Sequence, residues 1–231
     1  MAETMTDFAA EREAMVDRQL KRRGITEQSI LDAFLEVPRE AFVSAEYAHR
    51  AYGDHPLPIG EEQTISQPFI VGLMSSLLEL TGREKVLEVG TGSGYQTAVL
   101  AALARRVCSI ERRPRLAERA RATLEALGYD NVWVRVGNGT LGWPDQAPFD
   151  RIIVTAAAVK APPALIEQLK LGGRMIIPLG ETRDAQQLVQ IDKTEAGLTE
   201  KNLLPVRFVP LVQGRAGVAA RMAKGPRAAE P

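Results

Sequence analysis

The stretch that decides the fold reads Val86-Leu87-Glu88-Val89-Gly90-Thr91-Gly92-Ser93-Gly94. An apolar run that carries one acid breaks into three alternate glycines, and an apolar helical pattern follows over residues 95–104. This order predicts a buried strand, a tight turn and the start of a helix. Glycine permits positive φ and lets a ligand approach the backbone, so the turn is a candidate cofactor site. The alternative is a glycine-rich turn that binds nothing.

The glycine spacing separates two classes of cofactor. A dinucleotide site reads G-x-G-x-x-G and directs a helix N-terminus at a pyrophosphate, whereas this chain reads G-x-G-x-G. Glu88 lies two positions before the first glycine, where a carboxylate would repel a pyrophosphate and suit a cationic ligand. A second acid, Glu111, ends the next strand-like run, where a ribose-binding carboxylate belongs. The pattern favours S-adenosylmethionine, which has a sulfonium, an ammonium and no phosphate.

Composition bounds the class of protein. The 231 residues, 45% hydrophobic and 25% charged, suit one large domain or a domain with an appendage. With 29 basic and 29 acidic residues the net charge is zero, which argues against a broad electrostatic grip on nucleic acid. The single cysteine, Cys108, fits a reducing compartment. We expect a soluble cytoplasmic protein, since neither a signal-peptide core nor an apolar stretch of membrane-spanning length is seen.

Hydrophobic periodicity outlines the remaining elements. Helices are predicted over residues 11–23, 27–37 (with Thr26 as its cap) and 68–80, and residues 53–60 are predicted as a loop. Beyond them, strands at 85–90, 107–111, 132–136, 150–155 and 173–178 alternate with helices at 95–104, 114–127 and 161–170. Such alternation implies right-handed crossovers and a parallel sheet. Two late strand-like runs, 187–192 and 206–212, predict a hairpin at the sheet edge.

We therefore predict an α/β fold with a mostly parallel central sheet and helices on both of its faces. Residues 1–80 form an N-terminal helical addition with an active-site loop, and residues 81–213 form the cofactor-binding core. Residues 214–231, rich in Ala, Gly, Arg and Pro, are predicted to be a flexible tail.

Other chemistries find little support. An arginine cluster within residues 105–121 invites a nucleic-acid interpretation, but interleaved glutamates at helical spacing favour a solvated helix face. His49 and His55 are the only histidines and there is no second cysteine, so no metal site is expected. No Ser-His-acid order or Walker lysine stands out.

Several segments together resemble one family, the protein-L-isoaspartate O-methyltransferases. They are Pro58-Ile59-Gly60, Gln63-Thr64-Ile65-Ser66-Gln67-Pro68, the glycine turn, Gly137-Asn138-Gly139, Pro148-Phe149-Asp150, Gln168-Leu169-Lys170-Leu171-Gly172-Gly173-Arg174 and Phe208-Val209-Pro210-Leu211. The likeness covers most of the chain, from about residue 18 to residue 212. Many methyltransferases share the glycine turn, and the Thr64-Ile65-Ser66-Gln67-Pro68 segment is what narrows the match.

The resemblance implies methyl transfer from S-adenosyl-L-methionine to the free carboxylate of L-isoaspartyl residues in damaged proteins and peptides. The ester then collapses to a succinimide that hydrolyses partly to aspartate. It also implies the Rossmann-like methyltransferase fold. We expect neither a nucleic-acid nor a membrane partner, and we expect a monomer.

The resemblance also implies roles for individual residues. Ser66 matches the residue the family treats as catalytic, and it would also lie at the cofactor. Gly90 and Gly92 would approach the methionine part of the cofactor, with Glu88 near its ammonium, if need be through water. Glu111 would accept both ribose hydroxyls.

Three further segments match family loops around the same site. Asn138 and Gly139 match the loop that contacts the adenine, although the family usually has Gly-Asp-Gly there. Ile59, Gly60 and Thr64 match the loop that folds over cofactor and substrate. Residues 208–212 match an edge strand that lines the peptide site.

Competing interpretations remain at this stage. Ser66 precedes Pro68 by two residues, so it is also a candidate helix cap. Asn138 is also a candidate turn residue. A methyltransferase of the same fold that acts on a small molecule or on RNA is the second candidate function. A non-catalytic binding module is the third, and the presence of Glu88, Gly90, Gly92, Glu111 and Ser66 argues against it.

Overall fold

A computed structural model describes residues 7–182 and 184–212 and places a seven-stranded sheet at the centre of the chain. In chain order the strands are β1 (Leu57–Gly60), β2 (Gln63–Ile65), β3 (Lys85–Val89), β4 (Arg106–Glu111), β5 (Val132–Val136), β6 (Phe149–Val154), β7 (Leu169–Leu179), β8 (Gln186–Thr194) and β9 (Gly197–Val206). The large sheet has the order β5-β4-β3-β6-β7-β8-β9, in which the first five strands are parallel and the last two pair antiparallel.

Helices cover both faces of this sheet. They are α1 (Phe8–Met15), α2 (Gln28–Glu36), α3 (Pro68–Leu77), α4 (Tyr95–Leu103), α5 (Pro114–Ala126) and α6 (Pro163–Gln168). Side chains alternate along a strand, so Val86 of β3 packs in the cluster that includes α3 and α4, whereas Leu87 and Val89 pack in the cluster that includes α6. The predicted α/β fold with a mostly parallel sheet is confirmed.

The N-terminal helices share a hydrophobic core with α4 and α5. The helix predicted over 11–23 spans residues 8–23, passing from α through π (Val16–Leu20) to 3-10 geometry (Lys21–Arg23). It begins earlier than predicted because the Asp7 carboxylate accepts hydrogen bonds from two backbone amides of the first turn. It ends at Gly24, whose φ is 92°.

The predicted Thr26 cap is wrong. Helix α2 begins at Gln28, and Glu27 occupies the cap position without a side-chain cap bond. The Glu27 carboxylate instead accepts from the Thr26 amide (3.1 Å) and from the hydroxyl of Ser76 (2.5 Å), which lies near the C-terminal end of α3. A tertiary contact between the two helices therefore replaces the local cap.

The loop predicted over 53–60 is partly wrong, because residues 57–60 form β1. Leu57 pairs with Ile65 and Pro58 with Thr64 in an antiparallel hairpin, β1–β2. Leu57 and Ile59 are buried and alternate with exposed neighbours, the pattern of a half-buried strand. Proline has no backbone N–H to donate. Pro58 is tolerated because both strands of this two-stranded sheet are edge strands.

The predicted hairpin near the C-terminus exists, but its second strand is misplaced. Strand β8 covers the predicted 187–192, and β9 returns immediately after it rather than over 206–212. Most of β9 is exposed on both sides, so it lacks the apolar pattern of a half-buried strand. Residues 208–212 are apolar but do not form a strand. They run irregularly beside Ala157, with a single bridge at Pro210.

The remaining elements match their predicted positions within a few residues at each end, except that β7 starts directly after α6, at Leu169. No helix within residues 7–182 and 184–212 is long and apolar enough to cross a bilayer. The tail predicted over 214–231 lies outside the described residues.

Gly90→Ala should destabilise the protein by about 2–4 kcal/mol, through positive-φ strain and overlap in a packed site. Gly90 has a φ of 105°, and an added Cβ would lie 2.2 Å from Thr155 Oγ1. Gly128→Ala is the matched control, because Gly128 has a φ of 80° but open space around the added Cβ. Thermal denaturation should give the Gly90 variant the larger loss, and equal losses would show that the overlap does not matter.

Candidate cofactor and active site

A cavity of about 440 Å³ opens at the carboxyl ends of β3, β4 and β6. The strand order reverses between β3 and β6, and α/β sheets bind ligands at such a reversal. Six of the sequence-predicted site residues line the cavity, namely Thr64, Ser66, Gly90, Gly92, Glu111 and Gly139. The other four, Ile59, Gly60, Glu88 and Asn138, lie behind the wall or beside it.

Four of the five backbone amides of the glycine turn donate to acceptors within the protein. The Gly90 and Thr91 amides donate to Ile110 O at 2.8 and 3.3 Å. The Gly92 amide donates to Glu111 Oε2 at 2.8 Å, and the Gly94 amide donates to Thr91 O at 2.8 Å. A phosphate-binding loop aims such amides at its ligand. This turn therefore fits a cofactor that has no phosphate.

Glu111 holds its carboxylate at the edge of the cavity by two backbone contacts. Oε2 accepts from the Gly92 amide and Oε1 accepts from the Arg113 amide, both at 2.8 Å. The side chain is largely buried yet lines the cavity. Since each carboxylate oxygen can accept more than one hydrogen bond, the group can still accept from two hydroxyls of a ligand.

Glu88 does not line the cavity, and its predicted place near the cofactor ammonium stays a prediction. The side chain is fully buried on the α4 face of β3, and Oε2 accepts from Thr97 (2.5 Å) and Ser109 (2.6 Å). Burial raises the pKa of Glu88 to about 8, against the weaker opposing effect of these two hydroxyls. Glu88 is therefore mostly neutral at pH 7 and offers little charge to a cation.

A chain of hydroxyls nevertheless connects Glu88 to the cavity wall. The Ser109 hydroxyl lies 2.6 Å from Glu88 Oε2 and shares a 2.5 Å hydrogen bond with the Thr91 hydroxyl. Thr91 lines the cavity within the glycine turn. Glu88 thus supports the glycine turn from the side of the sheet that faces α4.

The hairpin β1–β2 forms one side of the cavity. Thr64 and Ser66 line it, and the Ile59 side chain packs behind Gly92, where an added Cβ would meet Ile59 Cδ1 at 3.5 Å. The tip of the hairpin contains Gly60 and Glu61, both with positive φ. Arg119, in the middle of α5, donates to the Ile59 carbonyl and so holds this hairpin in place.

The helix-cap interpretation of Ser66 is wrong. Helix α3 starts at Pro68, the cap position is Gln67, and no side-chain cap bond is made. The Ser66 hydroxyl makes no hydrogen bond to the described residues 7–182 and 184–212, and the residue lines the cavity. Its backbone carbonyl accepts from Arg39 Nη2 at 2.7 Å. The hydroxyl is therefore available to a ligand.

Asn138 makes a local turn, and only Gly139 of the pair reaches the cavity. Asn138 Oδ1 accepts from the Thr140 amide (3.0 Å) and the Thr140 hydroxyl (2.9 Å), which is the turn-residue alternative. An added Cβ on Gly139 would lie 2.3 Å from Val89 Cγ1, so close packing against β3 requires glycine there.

Residues 208–212 line the cavity opposite the hairpin, although they are not the predicted strand. The Ala157 amide donates to Val209 O (2.8 Å), and the Leu211 amide donates to Ala157 O (2.6 Å). Gln186 of β8 exchanges two side-chain hydrogen bonds with the Phe208 backbone. The segment is thus held firmly without being part of the sheet.

Three residues at the site escaped the sequence analysis: Arg39, Tyr95 and Thr155. Thr155 and Tyr95 line the cavity; Thr155 ends the strand predicted over 150–155, and Tyr95 directly follows the glycine turn. The end of a predicted parallel strand and the first residue after a glycine turn are positions from which both residues could have been predicted to lie at the site. Arg39 offers no such signal, because a lone arginine between Pro38 and Glu40 resembles any surface charge.

Comparison with known proteins places this geometry in a family. The family model described as protein-L-isoaspartate(D-aspartate) O-methyltransferase matches residues 10–216. A protein-L-isoaspartate O-methyltransferase of Syntrophobacter fumaroxidans is 55% identical over 90% of this chain and 97% of its own length. One of Dictyoglomus turgidum is 56% identical over 83% of this chain and 87% of its own.

Solved structures agree. A protein-L-isoaspartate O-methyltransferase superposes with a TM-score of 0.80 at 33% identity, covering 89% of this chain and 67% of that one. A Plasmodium falciparum structure assigned to the same class of enzyme, in complex with S-adenosyl-L-homocysteine, has a TM-score of 0.77 at 26% identity. It covers 88% of this chain and 99% of that one.

Glu88→Gln should flatten the pH dependence of stability. The pKa of Glu88 rises from 4.5 to about 8 on folding, so between these pH values the unfolded chain ionises while the folded protein keeps its proton. Native stability therefore falls as pH rises through this window, by up to about 1.4 kcal/mol per pH unit for one group. Urea unfolding at pH 5, 6.5 and 8 should show a shallower decline in the variant. Parallel declines would refute the assignment.

Proposed function

The chain belongs to the protein-L-isoaspartate(D-aspartate) O-methyltransferase family, and from this membership we propose how its residues carry out the reaction. The enzyme transfers a methyl group from S-adenosyl-L-methionine to the free carboxylate of L-isoaspartyl residues in damaged proteins. The methyl ester then closes to a succinimide, whose hydrolysis returns part of the material to aspartate. A small-molecule or RNA methyltransferase is not favoured by these relatives.

One observation carries the residue assignment: a single cavity brings the hydroxyl of Ser66 together with Gly90, Gly92 and Glu111. The cavity fits S-adenosyl-L-methionine, because four of the five amides of its glycine turn are bonded within the protein and Glu111 supplies a carboxylate that can accept two hydroxyls. When bound, this cofactor supplies a methyl group on a sulfonium, which is left as a neutral thioether.

The protein's own task is positioning. A side-chain carboxyl has a pKa of about 4 and is ionised at neutral pH, so the substrate nucleophile needs no strong base. Ser66 donates its hydroxyl to that carboxylate and orients one oxygen toward the methyl group. Holding two reactants in line in this way can supply about 7–11 kcal/mol of a barrier.

The two walls of the cavity receive different partners in this proposal. The hairpin with Thr64, and Gly60 at its tip, folds over the cofactor, and Gly139 packs beside the adenine. Residues 208–212 line the groove that takes the backbone of the isoaspartyl peptide. Glu88 and Asn138 serve the site through the glycine turn and the Thr140 turn, respectively.

We further propose that the enzyme acts as a monomer in the cytoplasm without a nucleic-acid partner. Members of the arginine cluster are engaged within the chain, since Arg113 and Arg115 pair with Glu61 at 3.5 and 3.7 Å, and Arg121 donates to Val134 O. The single cysteine is buried in β4.

Glu111→Ala should weaken S-adenosyl-L-methionine binding by about 1.5–3 kcal/mol, roughly a 10- to 150-fold rise in Kd, because a charge-assisted hydrogen bond is lost. Isothermal titration calorimetry on the folded variant measures it directly. Glu118→Ala, an exposed glutamate on α5, is the control. An unchanged Kd in the Glu111 variant would remove this residue from the cofactor site.

An isoaspartyl peptide should accept the methyl group, whereas the aspartyl peptide of the same sequence should not.

In the same assay Ser66→Ala should lower kcat about 100-fold with little change in S-adenosyl-L-methionine Kd, since the hydroxyl acts on the reacting carboxylate. The nearby Ser76→Ala, on α3, serves as the control for a general loss of stability. A Ser66 variant with wild-type kcat would contradict the catalytic assignment.

A further inference from the structure

Arg39 is a fully buried arginine directly beneath the active site. It begins the 3-10 turn Arg39–Phe42 and has no exposed surface. Nε donates to Ala51 O and Nη2 donates to Ser66 O, both at 2.7 Å. The guanidinium carbon lies 4.6 Å from the centre of the Tyr95 ring, within the range of a cation–π contact.

This buried charge lacks the usual compensation. No carboxylate within residues 7–182 and 184–212 forms an ion pair with Arg39, and its Nη1 has no hydrogen-bond partner there. Burial raises the pKa of Tyr95 to about 12, so its phenol is neutral and supplies no counter-charge. Burying a cation costs several kcal/mol, and an apolar side chain of similar size would pack more cheaply. Stability alone therefore does not explain an arginine at this position.

The contacts of Arg39 join three segments, two of which line the cavity through Ser66 and Tyr95. Ala51 follows the 3-10 turn Ala45–Arg50 of the N-terminal region. Ser66 links the hairpin β1–β2 to α3, and Tyr95 is the first residue of α4, directly after the glycine turn. Tyr95 is itself held by edge-on contacts with Phe34 and Phe42, so it is a fixed platform.

We propose that Arg39 is a positioning residue for methyl transfer, which fixes the backbone of Ser66 relative to the glycine turn. This inference rests on the proposed catalytic role of Ser66. The planar guanidinium spans two carbonyls and a ring at once, which sets the distance between the hydroxyl of Ser66 and the cofactor side of the cavity. A lysine at this position keeps the charge but reaches only one of the two carbonyls.

The first test compares Arg39→Lys and Arg39→Gln with wild type. A misplacement of about 1 Å in a catalytic group can cost on the order of 100-fold in rate. We therefore expect kcat for an isoaspartyl peptide to fall about 10- to 100-fold, with the Kd for S-adenosyl-L-methionine changed by no more than about twofold. Arg39→Gln is the second variant should Arg39→Lys not fold.

Arg151→Lys is the matched control. Arg151 is also a partly buried arginine whose Nε donates to a backbone carbonyl, that of Leu78, at 2.6 Å, but it lies at the opposite end of β6 from the cavity. It should lose melting temperature without losing kcat. Wild-type kcat in both folded Arg39 variants, whatever their melting temperatures, would overturn the proposal.

A double-mutant cycle separates this inference from the role of Ser66. If Arg39 acts through Ser66, Arg39→Lys should lower kcat by less than about threefold in a Ser66→Ala background, because the group it positions is gone. Full additivity of the two losses would refute the positioning role while leaving Ser66 catalytic. A wild-type kcat in Ser66→Ala alone would instead refute the catalytic assignment on which both arguments rest.

Discussion

The close contact between the backbone of Gly90 and Thr155 is the constraint on which the site depends. Thr155 follows β6, its amide donates to Val89 O (2.9 Å) and its hydroxyl donates to Gly90 O (2.7 Å). These bonds join the two strands at which the sheet order reverses. Gly90, where the chain leaves β3, has no room for a side chain beside Thr155. The cavity opens directly over the strand ends at this point. The start of the cofactor turn is thus bonded directly to the end of the neighbouring strand.

Behind this turn, buried polar groups provide rigidity at an energetic cost. Glu88 is fully buried in β3 and bound by Thr97 and Ser109, and a hydroxyl relay continues from Ser109 to Thr91 of the turn. A neutral acid in such a network avoids the heavy penalty of a buried carboxylate. The glycine turn and Glu111 are therefore fixed before any ligand binds, which suits a reaction that depends on alignment.

The hairpin β1–β2 closes the other side by apolar burial more than by charge. The ion pairs of Glu61 with Arg113 and Arg115 are partly exposed, and such pairs contribute about 0–1 kcal/mol. Burial of one large aliphatic side chain contributes about 1.5–3 kcal/mol, and Leu57, Ile59 and Ile65 are all buried. Arg113 and Arg115, at the start of α5, therefore orient the hairpin, and apolar burial supplies most of its stability.

The sequence by itself determined the parallel core, the glycine turn, Glu111 and the Ser66 segment, because each depends on residues adjacent along the chain. Periodicity indicates the buried faces of strands and helices, and the alternate glycines 90, 92 and 94 indicate the positive φ of the turn. Only the tertiary structure decided the rest. Glu88 points away from the cavity because of the side of β3 on which it lies, and β9 lacks a half-buried pattern because it is an exposed edge. The role proposed for Arg39 depends on its contacts with Ala51, Ser66 and Tyr95. These residues are distant from Arg39 along the chain, so only the folded structure brings them together.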